Sequence, residues 1–150
     1  MEVDALFSLL LPASDRNRDD RMLGYDAAHV LARLLLDRGQ MPVLECTYSR
    51  RQQRASLMQA FGDISDVPLP VVEVAVAPDA VRRFRRRHQA TDLDEQLVHD
   101  RARNFPYSDQ ALRLMSVADP PDDLAQQIMT WLLLRPEPVD RGRWAEAGKD

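Results

Sequence analysis

Three charged clusters contain the residue types that could do chemistry: Ser14-Asp15-Arg16-Asn17-Arg18, Glu45-Cys46-Thr47-Tyr48-Ser49-Arg50-Arg51-Gln52-Gln53-Arg54, and Arg82-Arg83-Phe84-Arg85-Arg86-Arg87. A carboxylate such as Asp15 can orient a hydroxyl or take its proton. An acidic residue such as Glu45 can sit near a metal. Arginines over a crevice neutralise the charge that develops on a transferring phosphoryl group. Together they suggest phosphate chemistry. Each cluster also has a plainer reading. Asp15 is a loop residue suited to capping the helix that begins near Arg18. Arg18 pairs on the surface with Asp15 or Asp19. Arg82, Arg85 and Arg86 share one helical face, which alone reads as a solvated basic surface. Cys46 reads as a core residue, with Glu45 on the opposite face of the same strand. His29, His88 and His99 have no metal-ligand spacing.

The elements that must position these clusters alternate between two periods. Val3, Leu6, Phe7 and Leu10 fit a helical face, although the run Ala5–Leu11 equally fits a buried strand. The reading taken is a helix end followed by a short strand over Leu10–Ser14. Ala27, Val30, Leu31, Leu34 and Leu35 set a helix over Tyr25–Arg38, with Gly39 at its C-terminal cap. Met41–Thr47 reads as a strand. Ser49 and Gln52 then open a helix that runs to about Phe61. Leu69–Ala77 is the clearest strand, apolar enough to be covered on both faces. Helices follow over 79–88 and from Thr91 to about Asn104, then a strand over Leu112–Val117. A last helix has Asp119 as cap, Pro120 in its first turn, and a buried stripe of Leu124, Ile128, Trp131 and Leu132. Strands alternating with helices predict a parallel sheet, with ligands at the carboxyl ends of its strands.

The 150 residues suffice for one domain, with 45% apolar and 29% charged side chains. One cysteine excludes a disulfide framework and a multi-cysteine zinc site. No run is apolar enough to span a bilayer and no basic leader is present, so no membrane partner and a cytoplasmic location are expected. The net charge of −4 argues against general polyanion coating. Of the 20 cationic side chains only Lys149 is a lysine, and the first glycine is Gly24.

From about Leu11 to Leu133 the chain resembles a branch of the P-loop kinase superfamily. That branch holds zeta-toxin-like kinases, chloramphenicol phosphotransferase and polynucleotide 5′-kinase. The resemblance rests on Ser14, Asp15 and Arg18, and on Val43-Leu44-Glu45-Cys46-Thr47 with Arg50, Arg51 and Arg54. It extends to the lid-like helix from Pro78 to Arg87 and to Asn104-Phe105-Pro106-Tyr107. It implies a three-layer α/β fold, with a truncated kinase-like domain over 1–135 and a flexible tail over 136–150. The implied function is an ATP-dependent phosphotransferase. Asp15 would be the acceptor-side base and Arg18 would bind the acceptor. Arg50, Arg54, Arg82, Arg85 and Arg86 would stabilise phosphate charge, and Glu45 would lie near magnesium. The acceptor would be a small molecule or a polynucleotide end.

The family's Gly-x-x-x-x-Gly-Lys-Ser/Thr loop is absent, and with it the first strand of the sheet. ATP and magnesium binding by this chain is therefore expected to be weak or nil. Two explanations follow: a fragment or late-started chain, or a catalytically inactive module that keeps a binding or regulatory role. Loss of an inner strand also predicts that Leu6–Leu11 fills the gap as a strand, in preference to another copy lending a strand at an exposed sheet edge or the two halves sliding together into a smaller sheet.

Overall fold

The computed structural model describes residues 1–15, 17–64, 67–75, 110–115 and 121–147. Two compact units divide the chain, Met1–Val67 and Pro68–Gly148.

The first unit is built from three helices and one extended segment. Helix α1 spans Val3–Leu10, α2 spans Arg18–Leu36 and α3 spans Arg51–Ala60. In α1 the 3.6-residue period prevails over the apolar run. Val3 and Phe7 are buried on one face while Leu9 and Leu10 face solvent. Phe7 packs where α2 carries Gly24, and a Cβ built on that glycine would stand 3.0 Å from the Phe7 Cβ. Leu6–Leu11 is thus not a gap-filling strand, and Leu10–Ser14 holds the helix end and a turn.

Helix α2 starts at Arg18, seven residues before Tyr25, the start that the sequence pattern indicated. Asn17 is its N-cap, and the Asn17 side chain accepts from the Asp20 N–H at 2.9 Å. Asp19 and Asp20 in the first turn complement the helix dipole. At the other end Gly39 takes φ +72°, and its N–H bonds the Leu36 carbonyl at 2.8 Å.

The Met41–Thr47 segment alternates as a strand does. Leu44 and Cys46 pack on a core of Val3, Met22, Tyr25 and Ala28, while Val43 and Glu45 point outward. Its pairing is confined to the first residues of the chain. The Val43 carbonyl accepts from the Met1 amino group at 2.5 Å, the Glu45 N–H bonds the Met1 carbonyl at 2.8 Å, and the Glu45 carbonyl accepts from Val3 N–H at 3.2 Å. This makes a single parallel bridge, Glu2 to Glu45, rather than a strand within a sheet.

In the second unit, strand β1 (Val72–Ala75) pairs in parallel with β2 (Leu112–Met115), in the register Val72–Leu112 to Ala75–Met115. Glu73 is buried opposite Arg113, whose Nε donates to Glu73 Oε2 at 3.3 Å. Helix α4 (Pro121–Leu133) follows, then α5 (Arg141–Glu146). Leu124, Ile128, Trp131 and Leu132 are only partly buried, so the expected stripe is not fully covered. Residues 141–146, expected within a loose tail, are helical. Asp140 caps them by accepting from Arg143 N–H at 2.9 Å, and Val139 and Trp144 are buried.

The expected three-layer P-loop kinase-like sheet is therefore overturned. Among the described residues there are five helices and one sheet, of two strands. In the N-terminal half Val3, Phe7, Met22, Tyr25 and Leu57 are buried by helix packing, and among the described residues the extended segment pairs with Met1–Val3 alone. Among the described residues a sheet ladder forms only between β1 and β2. The helices expected over 79–88 and 91–104, and the Asn104–Tyr107 segment, lie outside the described residues.

Candidate functional site

The residues singled out from the sequence divide among three environments in the first unit. Asp15, Arg18 and Arg50 lie where the N-termini of α2 and α3 meet. Arg18 donates from its guanidinium to Gln52 Oε1 at 3.3 Å, joining the first turns of the two helices. Asp15 stands exposed, its Oδ1 accepting from the Asn17 side-chain amide at 3.1 Å and from the Asn17 N–H at 3.3 Å. Asp20 is engaged by Ser14 and Asn17, so its charge is partly answered locally. Arg50 is the N-cap of α3, one residue later than Ser49, which the sequence suggested. A guanidinium cannot accept a hydrogen bond, so the cap is made from the other side. Gln53 Oε1 accepts from the Arg50 N–H at 3.1 Å. The exposed side chains of Arg18, Arg50 and Arg51 thus gather at two helix starts, where the dipole adds positive potential.

Glu45 lies in the second environment, on the bridge to Glu2. Its side chain is exposed, and both of its peptide groups are used in pairing. Among the described residues no group of three His, Cys, Asp or Glu side chains could hold a metal ion. Arg82, Arg85 and Arg86 lie outside the described residues.

Arg54 belongs to the third environment, which is the interior. It is 0% exposed, and its NH1 donates to the Tyr48 carbonyl at 2.7 Å. A solvent-borne phosphate does not reach it there. Tyr48 has φ +44°, a left-handed conformation that costs a bulky residue on the order of 1–3 kcal/mol. Arg54 holds the carbonyl of that residue, and His29 holds its hydroxyl.

This interior contains a chain of hydrogen bonds that the sequence reading missed. The Ser56 hydroxyl donates to the Asp26 carboxylate. Its oxygen is then free to accept from the Nδ1–H of His29, at 2.8 Å. That tautomer leaves Nε2 to accept the Tyr48 hydroxyl, also at 2.8 Å. The His29 and Tyr48 rings lie nearly parallel, at 9°, and Tyr25 meets Tyr48 edge-on with centroids 5.6 Å apart. Tyr25 in turn shares a 3.2 Å hydrogen bond with Thr47, and Cys46 neighbours Tyr48.

Burial governs the ionisation of every member whose pKa is shifted. It lowers His29 to about 4, against a smaller upward pull from Asp26. It pushes the Cys46 thiol up to about 12, against a smaller downward pull from its neighbour Tyr48. Tyr48 rises well above its ordinary value, through burial first and its Cys46 neighbour second. His29 is thus neutral with both nitrogens occupied, and Cys46 is a thiol rather than a nucleophilic thiolate. The chain locks Thr47–Arg50 onto α2 and α3, and among the described residues no buried side-chain polar atom lacks a partner. A sequence signal for it existed. Tyr25 and His29 stand four apart on the same α2 face as Met22, Ala28 and Ala32, and that face is the buried one.

Compared with family models, characterised proteins and solved structures, the chain gives no match, and no family is assigned. No described helix is long and apolar enough to cross a membrane.

Proposed function

We propose that the Met1–Val67 unit binds the phosphate of a small phosphorylated molecule or a polynucleotide end, at the joined N-termini of α2 and α3. The observation that supports this is the Arg18–Gln52 bond, which brings the arginines of both helix starts together. Guanidinium groups match phosphate oxygens with paired donors, and helix starts add a favourable dipole. Asp15, exposed beside them, supplies a carboxylate able to accept a proton from a hydroxyl brought to the same place. Phosphoryl transfer would be the reaction served by such a site. Binding alone is the activity ascribed to this chain.

Calorimetry with a 5′-phosphorylated and an unphosphorylated oligonucleotide tests the proposal. The phosphorylated probe should bind with a dissociation constant of about 1 mM or tighter. Arg18→Ala should weaken it by about tenfold, the loss of one charge-assisted contact. Asp15→Asn should leave binding intact. Equal affinity for the two probes, or an Arg18→Ala variant that binds as the wild type does, would sink the proposal.

A further inference from the structure

Helix α2 is apolar on two opposite sides. Met22, Tyr25, Ala28 and Ala32 form its buried side. At 100° per residue, Leu23, Ala27, Val30, Leu31 and Leu34 form a second stripe across the helix from the first. The four large residues of that stripe are 41 to 57% exposed. A surface helix ordinarily turns a polar face outward, and a helix apolar on both sides is ordinarily covered on both. The stripe runs most of a helix about 28 Å long, which is more contiguous apolar surface than scattered exposed residues make.

The charges at its two ends say what covers it. Asp19 and Asp20 stand in the first turn. Arg38 stands exposed just past the last turn, while Arg33, nearer the middle, is already paired with Asp37 and Asp63. A second α2 laid parallel would oppose acid to acid and arginine to arginine. Laid antiparallel, it opposes each acidic end to an Arg38 and sets the two helix dipoles head to tail. The stripe fits the same arrangement. About a twofold axis near residue 29, Leu23 meets Leu34 of the partner copy and Ala27 meets its Leu31. The small Ala27 side chain lets the backbones approach near the axis. We infer that α2 is a self-association surface and that its occupant is a second copy of this chain, paired antiparallel. This surface is distinct from the phosphate site and does not depend on it. It is a helix face, and not the sheet edge through which association was first expected.

Sedimentation velocity on the full chain, from about 1 to about 100 μM, reads the association over the micromolar range typical of modest interfaces. The wild type should shift from monomer to dimer across the series. Val30→Asp should weaken the dimer by at least about tenfold, the effect of a charge at the centre of an apolar contact. Its circular dichroism should match the wild type, because Val30 is on the outer face. Arg38→Asp should weaken the dimer less, and Asp19→Arg combined with Arg38→Asp should restore it. A wild type monomeric throughout, which leaves the stripe to a different protein, overturns the inference. So does a Val30→Asp variant that dimerises as the wild type does. A double charge reversal no tighter than Arg38→Asp alone overturns the antiparallel arrangement.

Discussion

Helices α2 and α3 carry polar residues in two places, and the two are handled in opposite ways. Between the helices, His29, Ser56, Tyr48 and Arg54 form a network with its donors and acceptors matched, ending at the exposed Asp26. At the helix N-termini, Arg18, Arg50 and Asp15 stand in water with one or two local contacts each. The interior has few arrangements open to it, since an orphaned buried group costs on the order of 1–3 kcal/mol. The surface cluster has many, since an exposed pair contributes about 0–1 kcal/mol. Stability therefore resides in the first place, and any ligand recognition has its freedom in the second.

Removing the interior arginine should break this contrast most severely. Arg54→Ala leaves a cavity, frees the Tyr48 carbonyl and withdraws the support of its left-handed backbone. The expected loss is about 3–5 kcal/mol, enough to unfold a marginal domain, and urea unfolding monitored by circular dichroism reads it. A loss under about 1 kcal/mol would mean that Arg54 is replaceable by water.

Acid should loosen the interior more gradually. His29 titrates near 4 in the folded chain and near its ordinary 6.5 when unfolded. The unfolded chain therefore takes up the proton first, and stability falls as pH drops from about 6.5 towards 4. The full effect is on the order of 3 kcal/mol. His29→Gln should flatten that part of the pH profile. A wild-type unfolding midpoint constant between pH 7 and pH 4.5 would show that His29 is not held neutral.

The surface end should respond least. Arg18→Ala should change the unfolding free energy by less than about 0.5 kcal/mol, as expected for an exposed contact. A stability loss as large as that of Arg54→Ala would erase the distinction between the two places.

Much of the helical framework was legible in local spacing. The α2 period, the turn at Gly39 and the extended character of Val72–Ala75 and Leu112–Met115 follow from patterns within a few residues. Local spacing also separated Cys46 from Glu45 across the Met41–Thr47 segment, because strand geometry alternates faces whether or not a sheet forms. What it could not state was how many neighbours that segment has. A sheet is a long-range object, and apolar content alone does not distinguish a strand from a helix packed on its neighbour.

The candidate residues show the same limit. Asp15, Arg18, Arg50 and Arg54 are all polar and all near helix starts, so sequence alone placed them in one class. Only the tertiary structure separated Arg54, because residue 54 falls one turn into α3 on the side facing Tyr48 and α2. His29 was set aside for want of a metal-ligand spacing. Its two hydrogen-bond partners, Tyr48 and Ser56, come from segments distant in the chain. The sequence determined which side chains can form hydrogen bonds and which helix face each occupies. Tertiary packing decided which of those faces lost their water, and with it which polar groups had to find one another.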